Sequence, residues 1–470
     1  MRRRSRLGAL PLVAAWLTMP ATTLAAQSIV LTYANAGPFA NSNAVDSWQL
    51  RVNGAYVTAT DSTGIQRWSV SPSERAAQDC DGVTQLALDL HDANGDGRIN
   101  AAQGERARLV VTSSWRNGEG WDSAVMTLDV SEPAPPRTLW RKDNSNLAAL
   151  ARLVAEPALG AGVNGNTASS MVLLGAGLAT PATSTHGARS GAALLALDLD
   201  TGRDVPLPIQ AAFTAGLSGA ITALDLDRDG HTDRLYVGDA QATLWRFDFD
   251  DSAATNAAAT AVGGAIARLA APTHPNARSI LAAPDVSLFA PPGAAPWFNI
   301  AVGTTYVGTG TSPVSQGLYV LRDTQPYAHR TQAQFDALPI ATPANLLGGY
   351  AESIGTDGII ARAMTAAGVL LYTQVQGDAL STCTSPDSII VKATAIKADT
   401  GTAVPDPTDG LPMKARELHR RDGSSPSPFD APALQPNGGS YRCGIGDLPF
   451  DACPAIPRIK RRAWRREDAD

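Results

Sequence analysis

The 470-residue sequence has few of the residues that catalytic and metal-sulfur sites use. It contains six histidines, which are scattered singly, and four cysteines without a C-x-x-C pair. G-x-S-x-G, H-E-x-x-H and P-loop motifs are all missing from it. These absences argue against the common hydrolases, zinc peptidases and nucleotide-dependent enzymes. We therefore expect a non-enzyme.

The four cysteines are Cys80, Cys383, Cys443 and Cys453. In an exported chain they are expected to pair, because the compartment is oxidising. A short Cys443–Cys453 loop is the natural pair and would leave Cys80 to bridge to Cys383. Free buried thiols are the alternative.

Long apolar runs are scarce as well, apart from one at the N-terminus. Residues 1–6 are rich in arginine, and residues 7–24 are apolar but interrupted by Pro11 and Pro20. A membrane span needs ~20 clean apolar residues. We therefore predict a signal peptide over 1–26, export of the chain, and no transmembrane span in the mature protein.

Basic residues are fewer than acidic residues. Lys and Arg number 38 against 44 Asp and Glu, a net charge of −6, and losing the four arginines of the predicted leader lowers it to −10. This balance argues against nucleic acid as a partner and suits the binding of cations.

Amphipathic helical stretches are nearly absent. Short alternating or β-branched runs, such as 109–112, 170–175 and 368–373, are separated by Gly, Pro, Asn and Asp clusters. This pattern is typical of an all-β protein.

A weak internal repeat favours one all-β architecture. A strand ending in Leu-Asp or a close variant is followed by a polar turn, at spacings of ~50–80 residues. The copies end at Asp129, Asp198, Asp250, Asp323 and Asp399. We predict a β-propeller of about six to seven irregular blades, in which each copy is the outer strand of a blade. A β-sandwich is the alternative.

One acidic loop has the spacing of a calcium site. In the pattern D-x-D-x-D-G-x-x-D, Gly230 supplies a sharp turn and strand-like runs flank the loop, so we predict calcium inside a β-hairpin. The predicted ligands are the carboxylates of Asp225, Asp227, Asp229 and Asp233 and the carbonyl of His231. An acidic turn without metal is the alternative.

A second loop has the same pattern with less charge. Its predicted ligands are Asp92, Asn94, Asp96 and Asn100. Position 12 of this loop is Gln103 instead of an acidic residue, which predicts weaker calcium binding. An Asn/Gly-rich turn that needs no ion is the alternative.

The first loop and its sequel, Arg234-Leu-Tyr-Val-Gly-Asp239 followed by Leu244-Trp-Arg-Phe-Asp248, resemble the C-terminal propeller of the PilC/PilY family of type IV pilus proteins. Weaker marks follow in the family's order, at 125–140, 280–285, 307–310, 365–373 and 461–467. The resemblance covers about 106–467. The sequence departs from the family in its short N-terminal part, which has no D-x-S-x-S motif of a von Willebrand A-like module.

The resemblance implies a calcium-binding factor at the periplasm, outer membrane surface or pilus tip. It implies partners among the minor pilins and the pilus machinery and among host or surface receptors, and roles in pilus assembly, adhesion and the balance of extension and retraction. We divide the chain into a signal peptide (1–26), an N-terminal β region with the second loop (27–105), and a PilC/PilY-like propeller (106–470).

Two other functions remain open at this point. The run 195–202 also looks like a blade turn of quinone-dependent dehydrogenase propellers, although the adjacent cysteines and repeated tryptophan docking positions of those enzymes are missing. A propeller in which calcium merely braces blades that bind carbohydrate or protein is the other alternative.

Overall fold

The computed structural model describes most of the chain between residues 28 and 457. The described residues are 28–34, 45–53, 56–72, 82–94, 96–117, 120–150, 153, 155–161, 170–177, 193–207, 209, 213, 215–228, 230–249, 261–271, 273–307, 312–328, 330–376, 389–405, 410–419, 432–437, 440–445, 448–450 and 456–457. The predicted signal peptide lies outside them, as do Cys80, Cys383 and Cys453.

The described strands form seven antiparallel sheets, which we number in chain order. Sheet 1 contains β1 (Ser28–Ala34), β2 (Val45–Asn53), β3 (Tyr56–Thr60) and β4 (Gln66–Val70). Sheet 2 contains β5 (Gly82–His91), β6 (Arg106–Asn117), β7 (Gly120–Asp129) and β8 (Arg137–Asp143). Sheet 3 contains β9 (Ala158–Ala161), β10 (Ser170–Ala176) and β11 (Ala193–Asp198). Sheet 4 contains β12 (Ile221–Leu224), β13 (Arg234–Gly238), β14 (Thr243–Asp248) and β15 (Val262–Arg268).

The remaining sheets follow the same plan. Sheet 5 contains β16 (Asp285–Phe289), β17 (Trp297–Gly303), β18 (Gln316–Asp323) and β19 (Tyr350–Gly355). Sheet 6 contains β20 (Met364–Ala366), β21 (Val369–Gln376), β22 (Ile390–Lys397) and β23 (Arg416–Glu417). Sheet 7 contains β24 (Pro432–Asn437), β25 (Ser440–Ile445), β26 (Leu448–Phe450) and β27 (Ile456–Pro457).

Helix is confined to short pieces in the described part of the chain. These are α1 (Gln332–Asp336) and two 3₁₀ turns, Ala101–Gln103 and Ala148–Leu150. None of the described helices is long and apolar enough to cross a membrane.

Six of the seven described sheets are meanders, because strands that follow one another in the chain also pair with one another. In sheet 7, β27 pairs with β25. Consecutive sheets then pack face to face. In β10, Val172 and Leu174 pack toward sheet 2, while Met171 and Leu173 pack toward sheet 4. Both faces of the strand are buried, which explains why it reads as a continuous apolar run.

The same arrangement repeats along the chain. Separate apolar cores join sheets 1 and 2, 2 and 3, 3 and 4, 4 and 5, 5 and 6, and 6 and 7. Stacked antiparallel sheets of this kind, most of them four-stranded meanders, are the blades of a β-propeller. The predicted all-β propeller fold is confirmed, and the described sheets number seven. The predicted boundary at 105/106 falls inside sheet 2, where β5 pairs with β6.

The Leu-Asp repeat occupies one position in five consecutive sheets, and in four of them this is not the predicted outer strand. Its copies lie in or directly after β7, β11, β14, β18 and β22, the third strand of each sheet. Asp129, Asp198 and Asp323 each accept a hydrogen bond from a backbone N–H of the turn that follows. The Asp therefore stabilises the turn after the third strand, and in four of these sheets a fourth strand follows.

Two of these turns dock against an aromatic ring of the preceding sheet. Gly202 (φ +67°) lies against Trp140 of β8, whose Nε1 donates to the Leu199 carbonyl at 2.7 Å. Gly401 (φ +73°) lies in the same way against Tyr350 of β19. A Cβ atom at either glycine would lie 2.6 to 2.7 Å from the ring, so the contact requires glycine. This contact links sheet 2 to sheet 3 and sheet 5 to sheet 6.

Candidate calcium site

The first acidic loop closes the hairpin of β12 and β13. Ile221–Leu224 pairs with Arg234–Gly238, and Asp233 N donates to Leu224 O at 2.8 Å. Within the loop, Arg228 (φ 69°) and Gly230 (φ 90°) have left-handed backbone conformations. Two such residues turn the chain sharply, so that carboxylates on both sides of the turn point to one place.

Three of the predicted ligands meet there. Carboxylate oxygens of Asp225, Asp227 and Asp233 lie within 4.8 Å of one another. Asp229 lies outside the described residues, and His231 is half-buried in the loop but does not contribute a side-chain atom to this group. Among the described residues, these three are the acidic, histidine or cysteine side chains that meet as a possible metal site.

Backbone amides orient two of these carboxylates. Asp225 accepts hydrogen bonds from Arg228 N at 2.6 Å and Gly230 N at 3.1 Å. Asp233 Oδ2 accepts from the backbone N–H groups of Leu226 and Asp227. Three carboxylates held this close repel one another unless a cation lies between them. Oxygen donors of this kind suit a hard divalent cation such as calcium.

The strand after the loop is anchored by buried ion pairs. Arg234, the residue after Asp233, turns its guanidinium to Asp248 (Nε–Oδ1 2.5 Å) and to the Pro326 carbonyl (2.7 Å). Its side chain is 3% exposed. Arg234 therefore gives its hydrogen bonds to partners outside the loop and fixes the start of β13.

The strands that carry the family resemblance form one hydrogen-bonded hairpin. Asp239 accepts from Thr243 N at 2.8 Å and from Trp245 Nε1 at 3.0 Å, which closes the turn between β13 and β14. Burial raises the pKa of Asp239, and these hydrogen bonds oppose the rise. Arg246 pairs with Asp248 in the same hairpin. These contacts make the motif a hydrogen-bonded frame for the loop.

The second loop connects β5 to β6. Asp92 Oδ2 accepts from Gly97 N at 2.7 Å, Asn94 Oδ1 from Asp96 N at 2.8 Å, and Asp96 Oδ1 from Arg98 N at 2.8 Å. These side chains shape the turn through the backbone. Asn100, the fourth predicted ligand, has a buried side-chain oxygen without a hydrogen-bond partner.

Sequence reasoning missed the acidic residue of this loop. Glu105 lies two positions beyond Gln103 and is 3% exposed. Its carboxylate accepts hydrogen bonds from Asn94 N at 3.3 Å and Asn100 N at 2.9 Å. The sequence does contain a glutamate just past the expected position. It reaches back to the loop because the 3₁₀ turn Ala101–Gln103 shortens the path of the chain.

The second loop also joins two blades. Ile99 is buried and forms a parallel bridge with Tyr33 of β1, and its N–H donates to Thr32 O at 2.8 Å. The loop therefore lies where sheet 1 packs on sheet 2.

Comparison with known proteins gives one sequence relative and one solved structure of note. Over 164 residues, 34% of this chain, the sequence is 32% identical to a protein of Xylella fastidiosa described as a type IV pilus biogenesis factor PilY1 homolog. The match covers 12% of that protein, so this chain spans a small part of the relative's length. No family model matches the sequence.

The fold matches the crystal structure of the Pseudomonas aeruginosa PilY1 C-terminal domain. The TM-score is 0.58 at 16% sequence identity, and the match covers 87% of this chain and 93% of that one. The chain is thus similar to PilY1 proteins in part of its sequence and in its fold, and the predicted resemblance to the PilC/PilY family is confirmed.

Proposed function

We propose that this PilY1-like chain is a non-catalytic, calcium-binding factor of a type IV pilus system, exported to the cell envelope. The observation that carries the proposal is the acidic hairpin loop. This loop holds three grouped carboxylates, and the chain continues from it directly into the strands whose sequence resembles the PilC/PilY family. The Xylella fastidiosa relative is described as a type IV pilus biogenesis factor.

Calcium suits the loop for electrostatic reasons. Asp225, Asp227 and Asp233 offer hard oxygen donors, and Asp229 and the His231 carbonyl complete the predicted set at its regular spacing. Calcium accepts six to eight oxygen ligands in a flexible geometry. The bound ion would offset the repulsion among the carboxylates and hold the turn between β12 and β13.

The second loop is proposed as a weaker calcium site. Asp92, Asn94, Asp96 and Asn100 supply fewer charges than the first loop. Glu105 adds a carboxylate at the base, where it holds the loop backbone. An ion here would brace the contact between sheets 1 and 2.

The proposed partners are the minor pilins and the type IV pilus machinery. The proposed roles are support of pilus assembly, adhesion, and the balance of extension and retraction, with the protein at the outer surface or pilus tip. The rival reading is a calcium-braced propeller that binds carbohydrate or protein without any link to pili.

The test is genetic complementation in the bacterium that carries this chain. Deleting the gene is expected to reduce surface pili and twitching motility, and the wild-type gene should restore both. A variant with Asp225→Ala and Asp233→Ala should restore them poorly, although it is exported at normal levels. Glu132→Ala, at an exposed glutamate between β7 and β8, is the matched control and should restore both.

Normal piliation and twitching in the deletion strain would contradict the proposed role in pilus biogenesis. Full restoration by the double variant would retain the pilus role and reject the part played by calcium.

A further inference from the structure

The first acidic loop of sheet 4 is connected to sheet 5 through the residue that follows it. Asp233 is the last aspartate of the loop, and Arg234 is the first residue of β13. Side chains alternate between the two faces of a strand. Leu235 and Val237 pack toward sheet 3, whereas Tyr236 packs toward sheet 5. Arg234 therefore points toward sheet 5 from the end of the loop.

The backbone of Asp233 is held by the strands on both sides of β13. Its carboxylate accepts hydrogen bonds from the N–H groups of Leu226 and Asp227. Its own N–H donates to the Leu224 carbonyl of β12, and its carbonyl accepts from Phe249 N just after β14, each at 2.8 Å. The position of this predicted ligand therefore depends on how β12, β13 and β14 are aligned beside the loop.

The guanidinium of Arg234 fixes this alignment. It bonds Asp248, its partner across the ladder at the end of β14, with an Nε–Oδ1 distance of 2.5 Å. It also bonds the Pro326 carbonyl after β18 at 2.7 Å and approaches Asp323 of β18 at 3.7 Å. The guanidinium is buried, so water does not compete for its donors, and hydrogen bonds from a charged donor are among the strong ones. One side chain thus joins the end of the loop to sheet 5.

Asp323 holds the sheet 5 side of this connection. Its carboxylate pairs with Arg246 of β14 at 2.6 Å and lies 3.6 Å from Arg330. It also accepts a hydrogen bond from Gln325 N at 3.0 Å. These contacts hold the start of the segment 324–328 against the same arginines that order the strands of sheet 4.

The loop and this segment also share an apolar core. Leu226, between two of the loop aspartates, is partly buried against the core that joins sheets 4 and 5. Phe298 of β17 belongs to that core, and Tyr327 of the segment packs edge-on against its ring at 5.9 Å. A change in the order of the loop can therefore reach the segment through packing as well as through Arg234.

We infer that Arg234 is a positioning residue for the first loop, and that through it calcium binding in sheet 4 is coupled to the segment 324–328 of sheet 5. The inference rests on the proposed calcium binding at this loop. A bound ion fixes Asp233 and with it the start of β13, and Arg234 transmits this order to the Pro326 carbonyl. Because coupling between two sites is reciprocal, a weaker Arg234 contact should weaken the binding of calcium.

The coupled segment includes an exposed aromatic side chain. Tyr327 is 45% exposed, although one edge of its ring packs on Phe298. Aromatic residues are enriched where proteins bind one another. Calcium would therefore set how firmly this ring is presented at the surface.

The first test compares calcium binding by wild type and Arg234→Lys, using titration calorimetry of the chelator-treated, full mature chains. Lysine keeps the positive charge, but its single ammonium group does not reproduce the planar fork that bonds both Asp248 and the Pro326 carbonyl. The variant should bind calcium at the first loop at least about 5-fold more weakly. Arg268→Lys, at an exposed arginine of β15 in the same sheet, is the matched control and should bind as wild type does.

Hydrogen exchange gives a readout in sheet 5 that a purely structural role of Arg234 would leave unchanged. In wild type, saturating calcium should slow exchange of the backbone amides of residues 324–328 by about 5-fold. In Arg234→Lys, calcium should leave their exchange unchanged. Residues 399–403, in the corresponding turn of sheet 6, are the control segment and should not respond to calcium in either protein.

Two outcomes would overturn the inference and leave the proposed function intact. One is an Arg234→Lys protein that binds calcium with wild-type affinity. The other is a wild-type protein that binds calcium without any change in exchange at 324–328, a measurement that decides the question even where Arg234→Lys does not fold. A wild-type loop that binds no calcium would overturn the proposed calcium site and this inference together.

Discussion

At the scale of single residues, the first loop shows what spacing can predict. The pattern of aspartates around Gly230 anticipates a turn that brings carboxylates together, and Asp225, Asp227 and Asp233 do lie together. It does not reveal that Arg228 also adopts a left-handed conformation. Arginine has no preference for that region, so only the closed hairpin imposes it.

Calcium binding by this loop can be measured by titration calorimetry of the purified, chelator-treated protein. Asp225→Asn and Asp233→Asn each remove a charged ligand while keeping its size. Each should weaken the tighter site by at least about 10-fold, since even groups behind the ligands contribute that much. Asp92→Asn should alter only the weaker site. Unchanged binding in the Asp225 and Asp233 variants would contradict the site.

The second loop shows where spacing fails. Glu105 lies beyond the last position of the pattern, and Gln103 occupies that position instead. The route of the chain through a 3₁₀ turn decides which residue reaches back to the loop. Three-residue turns of this kind leave no periodic signal in a sequence.

At the scale of strands and turns, the Leu-Asp repeat correctly predicted the blades. It was assigned to the outer strand of each blade, whereas it lies in the third strand. Alternation and spacing in the sequence identify strands. Whether a strand lies inside its sheet or at the edge depends on how many further strands of the same sheet follow it in the chain. In sheet 3, β11 is the last strand, and Leu197 forms only a bridge to Asp204 where other sheets have a fourth strand.

The docking of turns on aromatic rings can be tested with two glycine substitutions. Gly202→Ala places a methyl group in the Trp140 ring in addition to straining a positive φ. Gly355→Ala has the same positive φ (+69°) with nothing within 4 Å, so it measures backbone strain alone. We expect about 1–2 kcal/mol for the control and about 1–3 kcal/mol more for Gly202→Ala.

Chemical denaturation measures both variants. Equal destabilisation by the two variants would show that the Trp140 ring moves aside at little cost. It would contradict close packing of the turn of sheet 3 against sheet 2.

At the scale of the whole molecule, blades are joined by ion pairs as well as by apolar cores. Arg246 of sheet 4 bonds Asp323 of sheet 5 at 2.6 Å, and Arg234 approaches the same carboxylate at 3.7 Å. Both arginine side chains are almost fully buried. Contacts between distant residues of this kind are invisible to local sequence patterns, although the arginines belong to the family motif.

Asp323→Ala should destabilise the protein by about 3–5 kcal/mol, because it removes one of the two carboxylates, Asp248 and Asp323, that the buried guanidinium groups of Arg234 and Arg246 share. Asp399→Ala, at an exposed aspartate in the corresponding turn of sheet 6, is the matched control and should cost less than about 1 kcal/mol. Thermal or chemical denaturation supplies both values. Similar losses of stability in the two variants would contradict the conclusion that the buried ion pairs hold sheets 4 and 5 together.

The meander order of the strands has a consequence for how the chain reaches its native state. Apart from the β25–β27 pair of sheet 7, the strands of the described sheets pair with their neighbours in sequence, and each sheet packs on the one before it. Contacts of short sequence separation form quickly, because little chain entropy is lost in closing them. A polypeptide emerging from a translocation channel N-terminus first can thus complete one blade at a time, each on the surface left by the last.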